Sequence, residues 1–369
     1  MKRTLAGMLC CCVLSFVSVD IAQAAEGAAD VVAHFGLQEA PTPVRERPGW
    51  RKPKKIVIGG VGFGLADAIR PVAPGVEIVT VGDASSMAKL ADADVLIGFC
   101  NPQILAASNS IRWIQALTAG VEQCVSVPIV RERNILLTNM QRVAGPVIAE
   151  HVMAMMLGLS RGFDLVIPAQ AKGQWLRDAL PPGRMSVIDG KTVLVVGLGG
   201  IGTEIAKRAH AMGMKVTATR ASGRTGPDYV SYIGLPDELP KLAAEADFVV
   251  NAAPLTPETK GIFNAALFGK MRRSAYFINI ARGGSVVTDD LVAALQGGKI
   301  AGAAVDVTDP EPLPPQHPLW SAPNIIITPH VASDSDLGRD AELALVKENV
   351  RRYVAGEKML SVVDTAKGY

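Results

Sequence analysis

The chain is poor in cysteine, and three of its five cysteines, Cys10, Cys11 and Cys12, lie together near the start. Only Cys100 and Cys124 remain for the rest of the chain. Two thiols make neither a disulfide framework nor a zinc cluster, so no metal site is expected. They read as buried free thiols; an oxidising compartment leaves a single bridge between them as the alternative. A surplus of one charge is also lacking. Lys and Arg number 37 against 35 Asp and Glu, a net charge of +2. Nothing here offers the clustered basic excess that a nucleic-acid partner requires. Beyond the N-terminus there is no apolar run of the kind a polytopic membrane protein needs, and no repeat at solenoid periods. Hydrophobic residues make up 49% of the 369 residues and charged residues 20%. That balance supports a large core spread over about two domains.

The N-terminus holds the longest apolar stretch. Lys2 and Arg3 precede an apolar segment from Leu5 to Val19, and Ala22-Gln23-Ala24 places small residues at a cleavage position. In that order these parts make an export signal over 1–24. The mature protein is therefore expected to be periplasmic or secreted, with no stable membrane insertion; a non-functional signal would leave it cytoplasmic. Residues 25–53, with Pro41, Pro43, Pro48 and Pro53, read as a linker or wrapping arm.

From Lys55 the chain alternates. "KIVIGG", "VEIVTVG", "ADVLIGF" and "IRWIQAL" are short β-rich runs with helical patterns between them. Such alternation is the mark of βαβ units and a parallel sheet. A helix over 145–161, apolar almost all round, suggests burial between layers or domains. A polar connector follows at 168–190. A second series then begins, with strands "TVLVVG", "KVTAT", "DFVVNAA", "AYFINIA", "AGAAVDV" and "NIIIT". Helices are expected at 201–212, 235–246, 288–296 and 336–354. Six strands in doubly wound order would complete a dinucleotide-binding domain.

"TVLVVGLGGIG" carries Gly197-x-Gly199-x-x-Gly202 between a β-branched strand and an amphipathic helix. The motif is weak alone, but this is the context it requires. Gly197 allows the tight turn, Gly199 the approach of a pyrophosphate to the helix N-terminus, and Gly202 close helix–strand packing. Gly200 and Ile201 belong to the same loop. The acid that usually ends the second strand and holds the ribose 2′-OH of NAD is missing. "KVTATR" puts Arg220 there, and no Asp or Glu follows until Asp228. Ser222 and Arg224 add polar donors. An arginine binds a 2′-phosphate by charge-assisted contacts, and the missing carboxylate removes the repulsion that excludes it. NADP(H) is the expected cofactor, with NAD(H) as the alternative.

Arg282, Glu311 and His330 fall at or just after strand ends, where open α/β sheets place their ligands. A cation can hold a substrate carboxylate by paired bonds. A carboxylate beside an imidazole favours the protonated ring, and a histidine can exchange a proton near neutral pH.

At these residues the sequence resembles the D-isomer-specific 2-hydroxyacid dehydrogenases. The likeness runs from about residue 54 to 369 and rests on "GLGGIG", "NIARGGSVVTDDLVAAL", "AAVDVTDPEPLPPQHPLW" and "NIIITPHVA". It implies an α/β chain of two lobes, with a Rossmann NAD(P)-binding domain at 156–330 inserted in a flavodoxin-like catalytic domain made of 54–155 plus 331–369. It implies Arg282 as the group that binds the substrate carboxylate and polarises the carbonyl, His330 as general acid–base and Glu311 as its support. Asp306 is implied to contact the nicotinamide carboxamide. Ala253, Pro254, Leu255 and Ala281 are implied to line the cofactor. The loops holding Phe99 and Cys100, and Ala119 and Gly120, are implied to receive the substrate carboxylate through backbone N–H groups. A homodimer is implied as well. His317 is given no role.

The activity implied is hydride transfer between a nicotinamide cofactor and a small D-2-hydroxy or 2-keto acid, in this chain an NADPH-dependent reduction of the glyoxylate or hydroxypyruvate type. The alternatives are a 3-phosphoglycerate dehydrogenase-like activity and a non-catalytic dinucleotide-sensing scaffold. Formate dehydrogenase fits less well, since that branch lacks the glutamate found at 311.

Overall fold

The computed structural model describes residues 32–59, 64–81, 89–98, 100, 102–336 and 338–368. The export segment and Phe99 lie outside the described residues. The described residues fold around two sheets, of five and seven strands, and every strand pair in both is parallel.

The first sheet contains β1 (Lys55–Gly59), β2 (Glu77–Val81), β3 (Val95–Ile97), β4 (Trp113–Gln115) and β5 (Leu136–Thr138), in the order β2-β1-β3-β4-β5. β1, β3, β4 and β5 are buried along their whole length. That burial is why they read as unbroken apolar runs rather than alternating ones. β5 was not among the expected strands; it is only three residues long. The helix Gly338–Ala355 returns to this lobe, packing Leu345, Val346, Val350 and Tyr353 with Ile56, Ile58 and Trp113. The rings of Trp113 and Tyr353 stack at 4.7 Å, a contact worth about 0.5–1.5 kcal/mol beyond the area it buries. The stretch 32–53 is no loose linker. Leu37 and Val44 enter the same core, and Ala40 N donates to the Met359 carbonyl at 2.8 Å.

The second sheet contains β6 (Thr192–Val196), β7 (Lys215–Thr219), β8 (Val230–Gly234), β9 (Phe248–Asn251), β10 (Tyr276–Asn279), β11 (Gly302–Val305) and β12 (Ile325–Ile327). Its order is β12-β11-β10-β9-β6-β7-β8, so the strand order reverses between β6 and β9, the place where doubly wound sheets open a ligand crevice. This is seven strands where six were expected. The additional one, β8, is an edge strand with Ser231 and Tyr232 exposed.

The apolar helix forms at Gly145–Ser160. Ile148, Ala149, Val152, Met155, Met156 and Leu159 join the core of the second sheet with Val193, Val195 and Ile205. The helix thus belongs to the second lobe from its start, and a boundary at 155/156 would cut through it. Part of the expected connector is helical too, at Phe163–Ala171. Among the described residues no single helix is long and apolar enough to cross a membrane.

Candidate active site

The glycine loop leaves β6 at the switch point. Gly197 has φ +95°, and a Cβ there would come within 2.7 Å of the Ala253 backbone after β9. Only glycine suits both demands. A Cβ on Gly202 would strike the Gly197 carbonyl, so the helix Gly200–Ala211 packs hard against the turn. Gly199, in contrast, faces open space, with nothing within 4 Å of a Cβ. The N–H groups of Gly197 and Leu198 both donate to the Thr219 carbonyl, at 3.1 and 3.0 Å. That places the end of β7, and Arg220 after it, beside the loop. These are the parts of a dinucleotide cradle: a close turn, an open approach and a helix N-terminus with free N–H groups.

Arg220 donates from Nε to Ser222 Oγ at 2.8 Å and from Nη1 to the Thr225 carbonyl at 2.5 Å. Among the described residues no carboxylate pairs with it. Arg224 stands differently. Its Nη2 is 2.6 Å from Glu238 Oε1, and Nη1 donates to Tyr232 Oη at 3.1 Å. Hydrogen bonds from Tyr232, the Leu235 N–H and Arg224 hold the Glu238 carboxyl down at about 2, so the pair stays charged at neutral pH. In this structure Arg224 braces the loop through Glu238 and Tyr232, with its side chain half exposed.

Arg282 stands on a buried polar network. Asn251 Nδ2 donates to Asn279 Oδ1 at 3.0 Å and to Ser285 Oγ at 2.7 Å. Ser285 Oγ and Asn279 Nδ2 in turn donate to the Arg282 carbonyl, at 2.7 and 3.1 Å. A network fully satisfied in this way rigidifies the turn that carries the guanidinium. Arg282 Nη1 donates to the Ala281 carbonyl at 2.7 Å and Nη2 to Glu122 Oε2 at 3.1 Å. Glu122 was not among the expected site residues. Gly120 lies directly against the guanidinium, where a Cβ would collide with Arg282 Nη2. The N–H groups of Ala119 and Gly120 make no hydrogen bond within the described protein, while the Ala119 carbonyl accepts from Asn139 Nδ2 at 2.7 Å. Free N–H donors beside a cation suit a carboxylate.

Glu311 and His330 meet across the crevice rim. Glu311 Oε1 lies 2.5 Å from His330 Nδ1, and the side chains are 40% and 45% exposed. With Nδ1 held, Nε2 is the nitrogen left to exchange a proton with a ligand. His330 has φ +56°, a left-handed backbone unusual for a non-glycine residue. Asp306 enforces it. His330 N donates to the Asp306 carbonyl at 2.8 Å. The Asp306 carboxylate accepts from Val331 N, Ala332 N and Thr328 Oγ1 at 3.0, 3.0 and 2.6 Å. Only 1% of the Asp306 side chain is exposed. In this structure its carboxylate is turned into the protein and shapes the turn that presents His330. Thr328 also links it to His151 of the helix Gly145–Ser160, Oγ1 to Nε2, at 3.1 Å. Ala253 and Ala281 are buried beside the crevice, with Pro254 and Leu255 half-buried. His317 accepts from Leu319 N at 3.1 Å, an ordinary cap.

Cys100 and Cys124 are joined in a disulfide, with Cα atoms 4.9 Å apart. That overturns the reading as free thiols. The bridge ties the segment after β3 to the short helix Glu122–Val125, which also carries Glu122.

The comparisons agree with this geometry. Residues 153–332 match the family model "D-isomer specific 2-hydroxyacid dehydrogenase, NAD binding domain". The chain belongs to the D-isomer-specific 2-hydroxyacid dehydrogenase family. It is an NAD(P)-dependent oxidoreductase of that family. An uncharacterized protein of Corynebacterium melassecola is 34% identical over 295 residues, 79% of this chain and 95% of that one. An NADPH-dependent glyoxylate/hydroxypyruvate reductase of Sinorhizobium meliloti, solved with NADP and sulfate, is 29% identical with a TM-score of 0.74; the match covers 86% of this chain and 100% of that one. A family member from Xanthobacter autotrophicus Py2, solved with NADPH and MES, is also 29% identical over 86% of this chain and 100% of that one, with a TM-score of 0.73.

Proposed function

We propose that this dehydrogenase is an NADPH-preferring reductase of small 2-keto acids, of the glyoxylate or hydroxypyruvate type. The observation that carries the reading is Arg220 beside the glycine loop with no carboxylate partner among the described residues, in a chain that also pairs His330 with Glu311. The Sinorhizobium meliloti reductase supports the substrate class.

The bound dinucleotide supplies the hydride that reduces the carbonyl carbon. The protein's own residues do the rest. Arg282, with the free N–H groups of Ala119 and Gly120, holds the substrate carboxylate and orients the neighbouring carbonyl. His330 gives its Nε2 proton to the carbonyl oxygen, while Glu311 on Nδ1 stabilises the charged ring before transfer. Glu122, beside Arg282, disfavours a substrate with a second negative charge, which weighs against the phosphorylated substrate of a 3-phosphoglycerate dehydrogenase.

The same reading includes a homodimer and export. Phe163, Ile167, Trp175, Met185 and Val187 are large apolar side chains exposed along one stretch of the second lobe, the kind of surface that a second copy covers. The Cys100–Cys124 bridge suits an oxidising compartment. NADPH oxidation assayed with glyoxylate and hydroxypyruvate tests the activity. Tight NADPH binding without turnover of any 2-keto acid would instead support the dinucleotide-sensing scaffold.

A further inference from the structure

Arg142 follows β5 in the first lobe, yet it lies on the phosphate loop of the second. A Cβ on Gly200 would come within 3.1 Å of Arg142 Cγ and 3.3 Å of the Gln141 carbonyl. Glycine at 200 is therefore what lets the first-lobe segment rest on the start of the Gly200–Ala211 helix. The guanidinium is half-buried and, among the described residues, makes no side-chain hydrogen bond or ion pair. The nearest candidate partner, Glu204, is bound by Arg208 at 2.5 Å. A cavity of about 180 Å³ opens beside Arg142, lined also by Gly200, Thr203, Lys207 and the Glu204–Arg208 pair.

An unpaired, half-buried cation is costly to keep. Here a like charge adds to the difficulty. Burial lowers the Arg142 pKa and the field of Arg220 lowers it further, against a smaller opposing pull from Glu204. With Glu204 already bound by Arg208, the like charges of Arg142 and Arg220 on this loop are relieved by an anion.

We propose that Arg142 is a cofactor-binding residue, reaching from the first lobe to a phosphate of the dinucleotide held by the second. A guanidinium offers paired N–H donors matched to phosphate oxygens. Cofactor binding would then draw the two lobes together through one side chain. The inference rests on the reading of this loop as a dinucleotide site, not on the preference between cofactors.

Equilibrium binding of NADPH and of NADH, followed by cofactor fluorescence, tests it on the wild-type protein, Arg142→Gln and Arg142→Lys. Circular dichroism and melting temperature check the fold of each variant. Arg142→Gln should weaken binding at least fivefold, and Arg142→Lys, which keeps the charge but not the paired donors, less than that. A loss confined to NADPH assigns the contact to the 2′-phosphate; an equal loss with both assigns it to the pyrophosphate. Arg142→Gln binding both cofactors within twofold of wild type overturns the proposal. Should Arg142→Gln fail to fold, Arg142→Lys decides: unchanged affinity for both cofactors overturns the proposal, and a threefold or greater loss supports it. A wild-type protein that binds NADH as tightly as NADPH contradicts the proposed preference, while the Arg142 comparison still decides this inference.

Discussion

Arg282 Nη2 and Glu122 Oε2 meet at 3.1 Å, joining the lobes through residues 160 positions apart. The arginine expected to hold the substrate carboxylate thus already faces a carboxylate of the protein. Both side chains are partly exposed, so the pair is worth about 1 kcal/mol after screening, roughly a fivefold effect. Glu122→Gln keeps the shape and removes the charge. KM should fall severalfold for glyoxylate and further for a dicarboxylic 2-keto acid, with kcat nearly unchanged. A higher KM for both would mean that Glu122 orients Arg282 for the substrate rather than competing with it.

The His330–Glu311 pair makes a sharper prediction. His330→Gln should lower kcat by about 10²–10⁴, the range of a positioned acid–base group, and leave NADPH binding within twofold. Glu311→Gln should lower kcat less and alter the pH profile of the rate. Asp306→Asn acts through the turn. It should lower kcat with little change in KM, because it disturbs three bonds that fix His330. A large loss of cofactor affinity in Asp306→Asn would point instead to the expected nicotinamide contact.

The Cys100–Cys124 bridge closes a loop with a sequence separation of 24. Such a bridge stabilises by roughly 2–4 kcal/mol. Reduction, or Cys100→Ser with Cys124→Ser, should lower the melting temperature and raise KM for the keto acid, since the Glu122–Val125 helix is tethered by the bridge. NADPH affinity should not move. Mass spectrometry of the protein from its native compartment should find the thiols oxidised; free thiols there would contradict the proposal of export.

Much of this site was legible because chemistry at strand ends has a compact sequence signature. Gly197, Gly199 and Gly202 lie in one loop, and Arg220 lies one residue past the strand that the loop leans on. What the sequence hid were contacts made across the fold. Glu122 meets Arg282, and Arg142 meets Gly200, only after the lobes pack, and no local pattern records either contact. Arg224 stands close to Arg220 in sequence, and nothing local shows Glu238 turning back to pair with it. Asp306 stands just past a strand end, and the direction of its carboxylate is a property of the turn that follows. β5 is too short to show a period, and β8, at the sheet edge, carries exposed polar residues that blur it.

Arg220→Asp should reverse the cofactor preference. The carboxylate can accept from a ribose 2′-OH and repels a 2′-phosphate, so kcat/KM should fall at least tenfold with NADPH and hold or rise with NADH. Equal losses with both would mean that Arg220 serves the loop through Ser222 and Thr225 rather than reading the cofactor.

The most direct test of the whole account is kcat/KM of the wild-type enzyme for NADPH and for NADH, each with glyoxylate and hydroxypyruvate. A value at least tenfold higher with NADPH, on either substrate, is the predicted result. Turnover with NADH equal to or better than with NADPH would contradict it.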